Sequence, residues 1–214
     1  MAEELGKIEK PPAEEFKLGR KLYFIPLLYG GENAPDEYTE KYNRYWEQVA
    51  KQIAELEAKL GAVKRIYHEL IPFAGDEGCN AIKELSEKSH GIISICMDKG
   101  AQLEAAEDTD ILSEFMDWSR CLMIGLQNQK VVNTVYEAYQ EASKKRNEFI
   151  AKKIGDTLKQ DEIGIVLMRE NHQVQFPNDI QIFYVAPPAL DEIKRWLREQ
   201  ETKAAGESQA GTDS

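Results

Sequence analysis

Apolar positions along the chain follow two alternating rhythms, short unbroken runs and longer stripes at spacings of three and four. The first run, KLYFIPLLY at 21–29, is closed by Gly30-Gly31 and predicts a buried strand. From Pro35 to Leu60, positions such as Tyr42, Trp46, Val49, Ile53 and Leu60 make one apolar helix face, and Gly61 is placed to end it. Residues 64–70 predict a second strand, stopped by Pro72. Two helical pieces follow, around 77–88 and 91–99. GIISICM in the second also reads as a strand, but Gly100 in the C′ position favours a helix and leaves AQLEAAED at 101–108 as a short strand. Asp108 or Thr109 then caps a helix whose broad apolar face includes Phe115, Met116 and Met123. Residues 127–158 make a longer helix, and the two meet near Gly125. Strands are again predicted at 162–168 (EIGIVLM) and 180–185 (IQIFYV), and Pro187-Pro188 introduce the amphipathic helix ALDEIKRWLREQ.

This interleaving predicts an α/β fold, helix-rich, with a mainly parallel small sheet covered by long helices. It suits a single domain over 19–201 with a helical insertion around 77–158. Residues 1–18, charged and carrying Pro11-Pro12, are expected to be a flexible segment. Residues 202–214, rich in Gly, Ser and Ala, are expected to be a disordered tail.

Charge narrows the function classes. The 38 acidic residues outnumber the 27 Lys and Arg, for a formal net charge of −11, and the pI is near 4.9. Nucleic acid is therefore not an expected partner, because phosphate-backbone binding relies on clustered cations. A mean hydropathy of −0.53, with no apolar run near the length of a bilayer span, argues against a membrane-spanning protein. The start, MAEELGKIEK, lacks the features of a secretory signal, so a cytoplasmic location is expected. Cys79, Cys96 and Cys121 show no CxxC spacing and read as core thiols. Trp46, Trp118 and Trp196 read as core, and His90 as an exposed loop residue.

Ligands of open α/β sheets gather at the carboxyl ends of strands. The residues at those ends are Tyr29, Gly30 and Gly31 after the first strand, His68 and Glu69 at the second, Glu107 and Asp108 after the third, and Arg169, Glu170, Asn171 and His172 after the fourth. Two histidines thus sit beside glutamates, a pairing suited to holding a divalent metal or to acid–base work near neutral pH. Side chains alternate along a strand, so His68 and Glu69 face one site only where the strand has ended. No GxGxxG, GK[ST] or GxSxG pattern is present, which leaves Gly30-Gly31 as a turn and disfavours a nucleophile elbow.

The stretch KKRNEFIAKKIGDTLKQDEIGIVLMRENH resembles the late motif of the TraB-like, Tiki-type and erythromycin-esterase-like superfamily. KGAQLEAAED is similar to its middle segment, and VKRIYHELI to its early one. The resemblance implies that Arg146 is the helix arginine, His172 the strand-end histidine and Glu69 the acid after the second strand. It also implies hydrolase ancestry. The hydrolase members carry a histidine after the first strand, where this chain has Tyr29 in PLLYGG, so a principal ligand is missing.

Two functions follow as expectations. One is a metal-dependent or acid–base hydrolase that gathers Glu69, Glu107, Arg146, Glu170 and His172. In it, His172, Glu69 and Glu107 would be ligands of a divalent metal, and Arg146 would stabilise an anionic intermediate. The other, preferred because it requires no residue the sequence lacks, is a non-catalytic or degenerate binding or scaffold protein. Its long helices would meet a protein partner or a second copy in a homo-oligomer.

Overall fold

The computed structural model describes residues 18–31 and 33–210, the side chains of 204–210 excepted. Among these residues the chain runs β1 (Arg20–Pro26), α1 (Asp36–Leu60), β2 (Arg65–His68), α2 (Gly75–Leu85), α3 (Glu87–Asp98), β3 (Gln102–Leu103), α4 (Thr109–Met123), α5 (Gln129–Thr157), β4 (Ile163–Met168), β5 (Ile180–Tyr184) and α6 (Pro188–Ala210). The fold is the expected helix-rich α/β type. Its five strands are all parallel, in the order β3-β2-β4-β1-β5.

Two apolar layers sandwich the sheet, as parallel strands require. One side chain in two along β1 joins each layer. Tyr23, Ile25 and Leu27 meet Tyr45, Trp46, Val49 and Ile53 of α1 on one face, with Ile82, Ile93 and Ile193 from α2, α3 and α6. Leu22 and Phe24 meet Ile150 and Ile154 of α5 on the other. Each such aliphatic or aromatic side chain, removed from water, contributes about 1.5–3 kcal/mol.

Local chemistry sets the ends of the helices. Asp36 and Glu37 complement the first turn of α1, and Gly61 at φ 117° closes it with its N–H on the Glu57 carbonyl. Ser86, Asp108 and Asn128 accept N-terminal amides of α3, α4 and α5 with their side chains. The α4–α5 connection turns at Gly125, φ 74°.

α5 has 29 residues, about 43 Å at about 1.5 Å per residue. β4 has 6, about 20 Å at about 3.3 Å each. The carboxyl-terminal half of α5 covers the sheet, and its amino-terminal half projects past the carboxyl ends of the strands with α4 packed along it. This overhanging hairpin supplies one wall of the cleft described below.

The structure departs from the sequence expectations at several places. The 101–108 segment is a strand only at Gln102 and Leu103, because only Arg65 and Ile66 of β2 are paired beside it. Strand β2 ends at His68, and Leu70 takes a left-handed φ of 68°. Helix α6 continues through residues 202–210, where a disordered tail was expected. His90 lies half-buried within α3, its Nε2 3.2 Å from Ser94 Oγ, rather than in an exposed loop. Cys96 is a core thiol, whereas Cys79 and Cys121 are only half-buried, and so are Trp118 and Trp196. The expectations for residues 1–17 and 211–214 lie outside the described residues. No helix among the described residues is long and apolar enough to cross a membrane.

Candidate functional site

A cleft of about 520 Å3 opens at the carboxyl ends of β2 and β4. Its floor is Glu69, Leu70, Met168 and Arg169, and its far wall is the inner face of the α4–α5 hairpin. This volume lies within the range of small-ligand sites, at the edge where α/β sheets bind ligands.

Strand alternation decides what reaches it. His68 points away, fully buried toward α3, with Nδ1 2.6 Å from the Glu69 carbonyl and Nε2 3.3 Å from Ser89 Oγ. Glu69, one residue on, lines the cleft and is 2% exposed. Burial pushes the Glu69 carboxyl above its ordinary pKa, and the Arg169 and Arg146 guanidinium groups oppose that shift.

Two of the three acids of the predicted site, Glu107 and Glu69, are each bonded to an arginine. Arg146 of α5 and Glu107 form a buried ion pair in which Nε lies 2.9 Å from Oε2 and Nη2 bonds Oε1. The Leu70 N–H also donates to Glu107 Oε1 at 2.9 Å, so the left-handed turn at Leu70 is tied to the pair. The Arg146 guanidinium stacks 4.7 Å from the Phe115 ring centroid. Glu69 Oε1 accepts from Arg169 Nε at 2.9 Å.

His172 lines the cleft between the Phe24 and Phe176 rings, at centroid distances of 4.9 and 5.5 Å. Its Nδ1 accepts the Val174 N–H at 3.2 Å, and burial lowers its pKa. The imidazole is accordingly neutral near pH 7, with its proton on Nε2.

Of the residues singled out from the sequence, Glu69, Arg146 and His172 therefore share one cleft, with Glu107 beneath its floor. Glu69, Arg146 and His172 make no hydrogen bond to one another, and Arg146 bonds Glu107 instead. Glu170 does not belong to the site, because it turns toward β5 and α6 to bond Tyr184 Oη and Lys194 Nζ. The expected metal ligands His172, Glu69 and Glu107 do not assemble either. Among the described residues no three His, Cys, Asp or Glu side chains are disposed to hold an ion, since each carboxylate faces an arginine and His172 Nδ1 already accepts an amide.

Tyr29 follows β1 at the carboxyl end of the sheet. Its hydroxyl is buried with no hydrogen-bond partner among the described residues, and burial followed by the Glu69 charge pushes its pKa up.

Sequence reasoning missed the hairpin wall. Tyr136, Tyr139, Gln140, Ser143, Lys144 and Asn147 of α5 all line the cleft. The signal was available, since Tyr136, Gln140, Ser143 and Asn147 recur at spacings of four and three and lead into the apolar Ile150 and Ile154. Arg169 was recognised as a strand-end residue but not as the partner of Glu69.

Fold and cleft together define a helix-rich parallel α/β protein with a polar, arginine-floored pocket beneath a helical hairpin. No family model, curated protein or solved structure matches the chain.

Proposed function

We propose that this chain is a non-catalytic binding protein whose cleft at the carboxyl ends of β2 and β4 takes up a small molecule. The observation that carries this reading is the pairing of Glu107 with Arg146 and of Glu69 with Arg169, beside a His172 whose Nδ1 already accepts the Val174 amide. A general base needs a free acceptor within reach of the proton it is to remove, and both carboxylates and His172 Nδ1 are already engaged. The convergence of Glu69, Arg146 and His172 on one cleft supports a degenerate TraB-like ancestry, and Tyr29 in place of a histidine supports the loss of chemistry. The three unpaired cysteines suit a reducing, cytoplasmic compartment. The exposed Met123 and Ile124 at the hairpin tip, 74% and 71% accessible, support a second copy or protein partner on the long helices.

A screen of esterase, peptidase and phosphatase substrates on wild type and His172→Ala tests the catalytic question. The expected outcome is no turnover that the substitution removes. Turnover abolished in His172→Ala would replace this reading with the hydrolase. Light scattering over a range of concentrations tests the partner surface, and self-association is expected. A strict monomer at every concentration would count against a second copy.

A further inference from the structure

The side chains that line the cleft carry charge of the sign opposite to that of the whole protein. Against a net charge of −11, the lining holds three cations, Lys144, Arg146 and Arg169, against Glu69 in the lining and Glu107 paired with Arg146 beneath it, which leaves Lys144 as the surplus charge. The carboxylate is also the least accessible of the charged pair on the floor. The Glu69 side chain is 2% exposed, whereas that of Arg169 is 46% exposed. Only Nε of Arg169 is engaged, and among the described residues no partner bonds its Nη atoms. A guanidinium held at Nε with its terminal nitrogens toward a cleft offers a planar pair of donors to a carboxylate or phosphate.

Neutral amides stand around it. Asn171 and Gln173 follow Arg169 in the same loop, and Asn147 and Lys144 face them from α5. Lys144 has only a loose contact with Glu148, at 3.9 Å, and its side chain is 76% exposed. The opposite wall is apolar and aromatic. Phe115, Met116 and Met123 of α4 face Tyr136 and Tyr139 of α5, and Tyr136 and Met123 are 50% and 74% exposed at the rim. One end of the cleft thus favours negative charge and the other favours an apolar or ring-shaped body.

We propose that the cleft is a site for small organic anions, molecules that carry a carboxylate or phosphate head on an apolar or aromatic body. This rests on the binding reading above and names its ligand class. The head sits against the outer nitrogens of Arg169, within reach of Lys144 and the amides of the 169–173 loop. The body lies along the α4–α5 wall. Glu69 holds Arg169 in place from below and competes with the ligand for its charge.

Two fluorescent probes of nearly the same shape separate head from body: 8-anilino-1-naphthalenesulfonate, an anion, and N-phenyl-1-naphthylamine, its uncharged counterpart. Titrated against the full chain, the anion is expected to bind more tightly than the neutral probe, with an advantage that shrinks as salt is raised. Lys144→Gln is expected to weaken the anion about threefold, and Glu69→Gln to tighten it by about the same factor, with the neutral probe changed less than about twofold. In the Glu69→Gln background, which leaves no orphaned carboxylate, Arg169→Gln is expected to weaken the anion about tenfold. Competition with phenylacetate and phenyl phosphate then identifies the preferred head.

Equal affinity for both probes in wild type, or substitutions that move both alike, would overturn the anion site and leave a binding cleft of other specificity. Displacement by neither competitor would also overturn it. Failure of both probes to bind would remove the binding reading itself.

Discussion

His68 is the only fully buried histidine among the described residues, and its environment makes it a built-in acid lability. Its Nδ1 donates to the Glu69 carbonyl, and burial pushes its pKa down to about 4 from 6.5. Above pH 6.5 the ring is neutral in both folded and unfolded chains. As pH falls from 6.5 toward 4, only the unfolded chain takes up the proton, so folding stability is lost across that window, by up to about 3 kcal/mol. Glu69 acts in the opposite sense, because its raised pKa makes the folded chain accept a proton before the unfolded one does. The comparison is therefore best made with His68→Asn. Urea unfolding at pH 7 and pH 4.5 should show wild type losing about 2 kcal/mol more than the variant. Parallel profiles would remove His68 as the cause.

The buried pair of Arg146 and Glu107 allows a second test at the same scale. Glu107→Gln leaves a guanidinium that is 8% exposed without its counter-charge, and should cost about 3 kcal/mol. Replacing both partners, as Arg146→Met with Glu107→Leu, should cost less than Arg146→Met alone, measured by the same denaturation. Additive losses, with Glu107→Leu as the second single variant, would mean that the pair contributes little.

At the scale of elements, two glycines in neighbouring helices should respond in opposite ways. A Cβ on Gly78 of α2 would lie 2.4 Å from the Phe73 carbonyl oxygen and 2.9 Å from Leu103 Cδ2, so Gly78→Ala must displace the first turn of the helix from the backbone that leads into it. A loss of about 2 kcal/mol or more is expected. Gly91 of α3 has nothing within 4 Å of such a Cβ, and Gly91→Ala should gain about 0.5–1 kcal/mol from the stiffer unfolded chain. Thermal unfolding of both variants checks the pair of signs.

Elements with a strong apolar period were legible from the sequence. The α1 stripe through Tyr42, Trp46, Val49 and Ile53 and the unbroken IGIVLM of β4 sit where their patterns place them. β3 was overextended, because AQLEAAED is short and mixed, and partner availability rather than propensity set its two-residue length. The continuation of α6 was hidden, because residues 202–210 carry no apolar stripe.

At the scale of the molecule, the strand-end rule located the cleft, while the identity of its partners was not legible. Glu69 and His172 could be named because a parallel sheet sends its carboxyl ends to one edge, whereas Arg146, inside helix α5, was named only from the family resemblance. Which arginine meets which glutamate depends on how α5 crosses the sheet, and on the left-handed turn that aims the Leu70 amide at Glu107. Glu170 was misplaced because exposed residues after a strand have no fixed direction, and Tyr184 with Lys194 draws it to the far side. The net charge of −11 spoke against nucleic acid but could not show that the cleft reverses its sign.

The most direct test of that reversal is amide chemical-shift mapping of the 15N-labelled full chain titrated with 8-anilino-1-naphthalenesulfonate. Saturable shifts centred on Arg169, Asn171, Gln173 and Asn147 are expected, all reduced in Lys144→Gln. Shifts confined to the exposed Ile182 and Tyr184 of the edge strand β5, or to the hairpin tip at Ile124, with the 169–173 loop unmoved, would contradict it.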